Sequence, residues 1–189
     1  MSYPLPDDRY FTYADYATWP EGVRYELIEG AAFLMSPGPA QAHQETLGAL
    51  HAQLYNYLRG KSCKVFAAPF DVRLNADTED DTVLQPDLLV VCDASKLNGK
   101  HCLGAPDLVI EILSPSSVQY DRVVKLRLYQ NAGVREYWVV DPALRTAETH
   151  ILTDGEYAAR VYGAEDTVPV HVLDACEITL KDVFGAIDS

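Results

Sequence analysis

Two acids stand where apolar strands are expected. Residues 85–91 read QPDLLVV and residues 107–114 read DLVIEILS, so Asp87 and Glu111 each interrupt a run of Leu, Val and Ile. A carboxylate in such a run is costly unless its charge is compensated. If the two runs are neighbouring strands, period-two alternation points Asp87, Leu89 and Val91 to one face and Val109, Glu111 and Leu113 to one face, so both acids can meet on the same side. Two close carboxylates repel until a cation is shared between them. Hard oxygen ligands with open water positions suit Mg²⁺, with Mn²⁺ as a substitute. Such an ion lowers the pKa of a bound water and polarises a phosphodiester oxygen, the two demands of phosphodiester hydrolysis. Lys125 is the cation best placed to assist the water or offset charge developing on phosphate, since Asp121, Lys125 and Tyr129 follow at i, i+4 and i+8 along one helix face. Spacing alone favours the blander reading, an exposed Asp121–Lys125 pair contributing a few tenths of a kcal/mol.

The elements that must position these residues are legible in outline. Thr12 with Asp15 three residues on, and Pro20 at the end, mark a short helix over 12–19. YELIEGAAFLMS reads as two strands about a Glu29-Gly30 turn. Leu47, Leu50, Leu54 and Leu58 recur at helical spacing from Gln41 to about Arg59, with His43 at the N-terminal end of the stripe. KVFAAPFDVRL, QPDLLVV and DLVIEIL read as three strands, the last two apolar on both faces as in a covered sheet. Pro115 stops the third, Ser116 or Ser117 caps the helix VQYDRVVKLRLYQNAG, and Gly133 closes it. VREYWVVD is a further strand. The remainder reads as an antiparallel extension turning at Asp154-Gly155 and ending in a short helix.

The chain has 189 residues and a formal charge of −13. That length suits one domain, residues 1–189, with a sizeable core. No apolar run approaches the roughly 20 residues of a membrane span. The start, MSYPLPDDRYF, lacks a signal-peptide core, so the expectation is a cytoplasmic protein with no membrane partner. Cys63, Cys92, Cys102 and Cys176 show no C-x-x-C spacing and are expected to be reduced. Neither they nor the five histidines form a recognisable zinc pair. The acidity opposes strong nonspecific binding to nucleic acid, although DTEDD at 77–81, read as a solvated loop, holds part of it. A small basic patch beside an acidic centre is compatible with that charge.

The ordered series YELIEG, SPGPAQAH, QPDLLVV, APDLVIEILSPSS and YDRVVKLRLYQNAGVREYWVVDP resembles the Uma-two endonuclease family of the PD-(D/E)XK, restriction-endonuclease-like superfamily, over roughly residues 10 to 180. The resemblance implies an α/β (α+β) fold, a restriction-endonuclease-like core with a mixed β-sheet flanked by helices and antiparallel hairpin extensions. It implies a Mg²⁺-dependent endonuclease hydrolysing DNA, with a homodimer as working form. Asp87 and Glu111 match the family's metal acids, and the backbone carbonyl of Ile112 would be a third metal contact. The superfamily pattern asks for Lys two residues after the acid, where this chain has Leu113, so a helix lysine, Lys125, would substitute. Accessory candidates are Glu26, a further acid or a solvent-facing strand residue; His43, near the metal or simply buried; Ser114, on phosphate or in a turn; and Asp121. Tyr129, Glu136, Tyr137 and Trp138 are read as packing and hydrogen-bonding residues. Two rival readings are a catalytically inactive nuclease-like binding or assembly module, favoured by Leu113 and the acidity, and a metal-dependent nuclease acting on RNA.

Overall fold

The computed structural model describes residues 3–4, 9–20, 22–35, 40–115, 117–185 and 187. Ser116, one of the two proposed helix caps, and residues 36–39 of the SPGPAQAH motif lie outside them. In chain order the elements are β1 (Tyr3–Pro4), α1 (Tyr13–Tyr16), β2 (Tyr25–Ile28), β3 (Ala31–Leu34), α2 (Gln41–Leu58), β4 (Lys64–Ala67), β5 (Asp71–Arg73), β6 (Val83–Leu84) and β7 (Leu88–Val91). There follow β8 (His101–Leu103), β9 (Leu108–Ile112), a π-helical turn (Tyr120–Lys125) leading into α3 (Leu126–Ala132), β10 (Glu136–Asp141), β11 (Thr146–Thr153), β12 (Glu156–Tyr162), β13 (Thr167–Pro169), β14 (Glu177–Thr179) and α4 (Leu180–Gly185).

The main sheet is mixed, with six strands in the order β12-β11-β10-β9-β7-β4. Only the β9–β10 pair is parallel, and its crossover is the segment that carries the π-turn and α3. Both faces are covered, which is why β7, and β9 apart from Glu111, are apolar. On one face Leu88, Val90, Leu108, Ile110 and Ile112 pack with Leu50, Leu54 and Leu58 of α2 and with Val183 and Phe184 of α4. On the other, Leu89, Val91, Val109, Leu113 and Val139 pack with Tyr129 of α3 and with Ile28, Val72 and Leu84 of a second six-stranded sheet, ordered β1-β3-β2-β6-β5-β8. The expected mixed sheet flanked by helices is present, and the hairpins turn where expected. Glu29 and Gly30 have φ of 48° and 80°, and Asp154 and Gly155 have 51° and 85°, left-handed pairs suited to two-residue hairpins. No helix among the described residues is long and apolar enough to cross a membrane.

Three expectations are corrected. KVFAAPFDVRL is two strands: β4 pairs with β7 in the main sheet, while β5 pairs with β6 and β8 in the second. Pro69 lies between them and has no N–H to extend a ladder. The DTEDD loop is only partly solvated, because Asp80 pairs with Arg73 at 2.5 Å and Asp81 is buried against Asn75 and Thr82. Finally, Cys63 and Cys92 are joined in a disulfide, leaving Cys102 and Cys176 free and buried. Strand register accounts for that pairing: Lys64 opposes Val91, so residues 63 and 92 face each other one step further along.

Candidate active site

Asp87 and Glu111 meet because of strand register. Leu88 opposes Ile110 and Leu89 opposes Val109, so one further step of the same antiparallel ladder sets Asp87 against Glu111. Asp87 precedes β7 rather than lying within it, and is half-buried, whereas Glu111 is the penultimate residue of β9 and is 3% exposed. Each carboxylate is oriented through one oxygen. Asp87 Oδ2 accepts the Ile112 N–H at 2.8 Å and lies 3.1 Å from His43 Nε2. Glu111 Oε1 accepts from Lys125 Nζ and from the Tyr129 hydroxyl, both at 2.9 Å. Asp87 Oδ1 and Glu111 Oε2 take no protein hydrogen bond among the described residues.

Lys125 is the hub. Its ammonium lies 2.9 Å from Glu111, 2.9 Å from Glu26 and 3.7 Å from Asp121, with all four side chains nearly inaccessible. This is no exposed helix pair. The π-turn brings Asp121 and Lys125 onto the buried face that Tyr129 continues, and π-turns are often found where helix geometry is bent to a site. Glu26 arrives from β2, and Gln85 fixes it by donating its backbone N–H to Glu26 Oε1 at 3.2 Å. Leu113 is buried in the apolar cluster with Tyr129 and Val139. An ammonium at that position would lack polar partners, so the one that reaches Glu111 comes from the helix instead.

The electrostatics follow from four carboxylates, Glu26, Asp87, Glu111 and Asp121, facing one lysine. Burial lifts Glu111 well above the usual carboxylate range; Asp121, Asp87 and Glu26 push the same way, and Lys125 opposes them. Asp121 is raised by burial with the same balance of neighbours. For Lys125, burial works against the charged form, but Glu111, Glu26 and Asp121 prevail and hold its pKa well above the ordinary value. The Tyr129 hydroxyl is raised by burial and then by Glu111, so it stays a donor. A divalent cation fits this donor set: it would meet one unbonded oxygen each from Asp87 and Glu111 and would offset the excess negative charge. Among the described residues no three His, Cys, Asp or Glu side chains form a ready-made metal cage. Mg²⁺ does not need one, because it keeps several waters and is held by one or two carboxylates.

Among the accessory candidates, Glu26 and Asp121 are brought to Lys125. His43 is buried and reaches the site through Asp87, with its Nδ1 unpartnered among the described residues. Ser114 is in a turn, its N–H donating to Ser117 Oγ at 3.1 Å and its carbonyl accepting from Ser117. Ile112 contributes its N–H, to Asp87. Tyr129, read as a packing and hydrogen-bonding residue, makes its hydrogen bond to Glu111 itself. Gln85, whose Nε2 also bonds Asp71 and whose Oε1 holds Arg24, gave none beyond lying two residues before Asp87.

A mixed sheet between helical layers, with acids on two adjacent strands and a lysine from the following helix, defines a nuclease-like α+β protein. The same fold occurs in the crystal structure of a protein described as "a putative nuclease belonging to DUF820" from Anabaena variabilis, with a TM-score of 0.76, 20% identity, and 94% of this chain and 99% of that one covered. Residues 13–181 match the Uma2 family, whose description is "Putative restriction endonuclease". The chain belongs to that family. An uncharacterized protein of Synechocystis sp. is 29% identical over 156 residues, 80% of each chain.

Proposed function

We propose that this protein is a Mg²⁺-dependent endonuclease that hydrolyses phosphodiester bonds of DNA. The observation that carries the reading is the register that sets Asp87 against Glu111, each with one oxygen fixed and the other unbonded. When bound, the cation supplies an acidified water and polarises the phosphodiester oxygen. Asp87 is oriented for that ion by the Ile112 N–H and His43. Glu111 is oriented by Lys125 and Tyr129. Lys125 holds Glu26 and Glu111 at fixed separation and keeps a positive charge beside the place where phosphoryl charge develops. Glu111 on β9 and Lys125 on the helical crossover, with Asp87 pinned just before β7 by the Ile112 N–H, retain their geometry between turnovers.

The test is to incubate the protein with Mg²⁺ or Mn²⁺ and either plasmid DNA, linear duplex DNA or RNA. DNA should be cut, and Asp87→Ala and Glu111→Ala should each lose at least about 100-fold in rate, the scale of losing a preorganised charge contact. Cutting of RNA alone would move the substrate to RNA. Equal inertness of wild type and Asp87→Ala on every substrate would leave the inactive module.

A further inference from the structure

The acidic centre leaves unexplained where a chain with 28 acids and 15 basic residues holds a polyanion. Between Glu45 and Asp71 the sequence has no Asp or Glu, yet it contains Arg59, Lys61 and Lys64. These three side chains line a cleft of about 530 Å³ at the C-terminal end of α2, with Tyr55, Leu58 and Val65 as its apolar wall. All three cations are exposed. None makes an ion pair with an Asp or Glu among the described residues; Lys61 lies over the Tyr57 ring, 3.1 Å from its centroid. Asp93, two residues beyond β7, accepts from the Ser95 N–H and hydroxyl at 2.9 and 2.6 Å. The residues lining the cleft thus include three cations and no acid.

Helix α2 connects the cleft to the acidic centre. Its exposed positions, Gln41, Gln44, Gly48, Ala52, Tyr55 and Asn56, are uncharged and lie on the side turned away from the buried stripe of His43, Leu50, Leu54 and Leu58. Glu45 lies on that same outer side, half-buried, and accepts from Gln41 at 2.7 Å. From His43, which touches Asp87, to Arg59 the helix runs about 24 Å, roughly seven base-pair steps of 3.4 Å.

We propose that the Arg59/Lys61/Lys64 cleft binds the phosphate backbone of nucleic acid and anchors it about seven base steps from the acidic centre. The choice of nucleic acid as ligand rests on the nuclease reading. Phosphate recognition itself rests on the cleft. The ammonium and guanidinium groups meet phosphate oxygens, and exposed Tyr55 offers a ring at the cleft wall.

The experiment is fluorescence anisotropy of a labelled 20-nucleotide oligonucleotide, single-stranded and duplex, with the full chain in EDTA over a series of salt concentrations. Arg59→Ser/Lys61→Ser/Lys64→Ser should bind at least about 10-fold more weakly, and the slope of log affinity on log salt should fall by about 2–3, at 0.7–0.9 per lost contact. Inorganic phosphate should displace the oligonucleotide only at about millimolar levels, as single contacts compete poorly with several. Wild-type affinity and slope in the triple variant would overturn the proposal. So would tight binding of inorganic phosphate with no oligonucleotide bound. Asp87→Ala, run in parallel in Mg²⁺, separates the two readings: binding in EDTA that the triple variant loses, with no cleavage by wild type or Asp87→Ala, sinks the nuclease and keeps the cleft, whereas cleavage that Asp87→Ala abolishes, with wild-type binding in the triple variant, sinks the cleft and keeps the nuclease.

Discussion

With Lys125 replaced by methionine, Glu26, Glu111 and Asp121 would keep their burial and lose their shared counter-charge. Removing one partner of a buried ion pair costs about 3–5 kcal/mol, because the remaining charge is left uncompensated. Thermal unfolding of Lys125→Met should therefore show a markedly lower Tm, and a divalent cation should restore more of it than in wild type, since the ion then meets carboxylates with no lysine competing. An unchanged Tm would mean that Lys125 is not the hub of the carboxylates. Tyr129→Phe is milder. It removes one hydrogen bond to an ionisable group, about 1–2 kcal/mol, and leaves Glu111 Oε1 with Lys125 alone. Calorimetry with Mn²⁺ should show weaker binding in that variant, while a purely packing role for Tyr129 would leave metal affinity untouched.

At the scale of elements, the site depends on how α3 ends as well as on how it begins. Gly133 has φ of 83°, and a Cβ added there would meet nothing within 4 Å. The cost of Gly133→Ala is then backbone strain alone, about 1 kcal/mol, read from urea unfolding. A loss above about 2 kcal/mol would mean that the cap also sets the pitch of the Lys125–Tyr129 face. The elements also explain what the sequence disclosed. Asp87 and Glu111 were visible because acids interrupt apolar runs, and alternation correctly put them with Leu89 and Val109 on one face. Gly133 and the two left-handed hairpin pairs were visible as local turn chemistry. Glu26 was ambiguous, since nothing near it in sequence tells whether β2 faces water or Lys125. KVFAAPFDVRL has strand-like composition throughout, and its division between two sheets depends on partners far along the chain. The Cys63–Cys92 pairing was hidden for the same reason: it is a property of register, and spacing carries no register.

For the whole molecule, buried titratable groups pull stability in opposite directions with pH, and the signs can be worked out. Burial depresses His150, with Arg122 acting the same way against Glu148, and burial then Arg73 depress His101. Their folded pKa values lie below the ordinary 6.5, so the unfolded chain binds protons that the native state refuses. Stability from each histidine is therefore present above 6.5 and lost as pH falls through that value toward the folded pKa. Glu111 and Asp121, raised by burial, contribute in the reverse sense: they favour the native state at low pH and disfavour it as pH rises. The total curve mixes both, so the informative quantity is a difference between chains. His150 stacks on Tyr137, with ring centroids 5.8 Å apart, and phenylalanine keeps that shape without the titration. Urea unfolding of wild type and His150→Phe at pH 7.5 and 5.5 should show the variant's deficit narrowing, or reversing, at the lower pH. A deficit that is constant or grows on acidification would mean that His150 is protonated in the folded protein, with Glu148 3.1 Å away outweighing its burial.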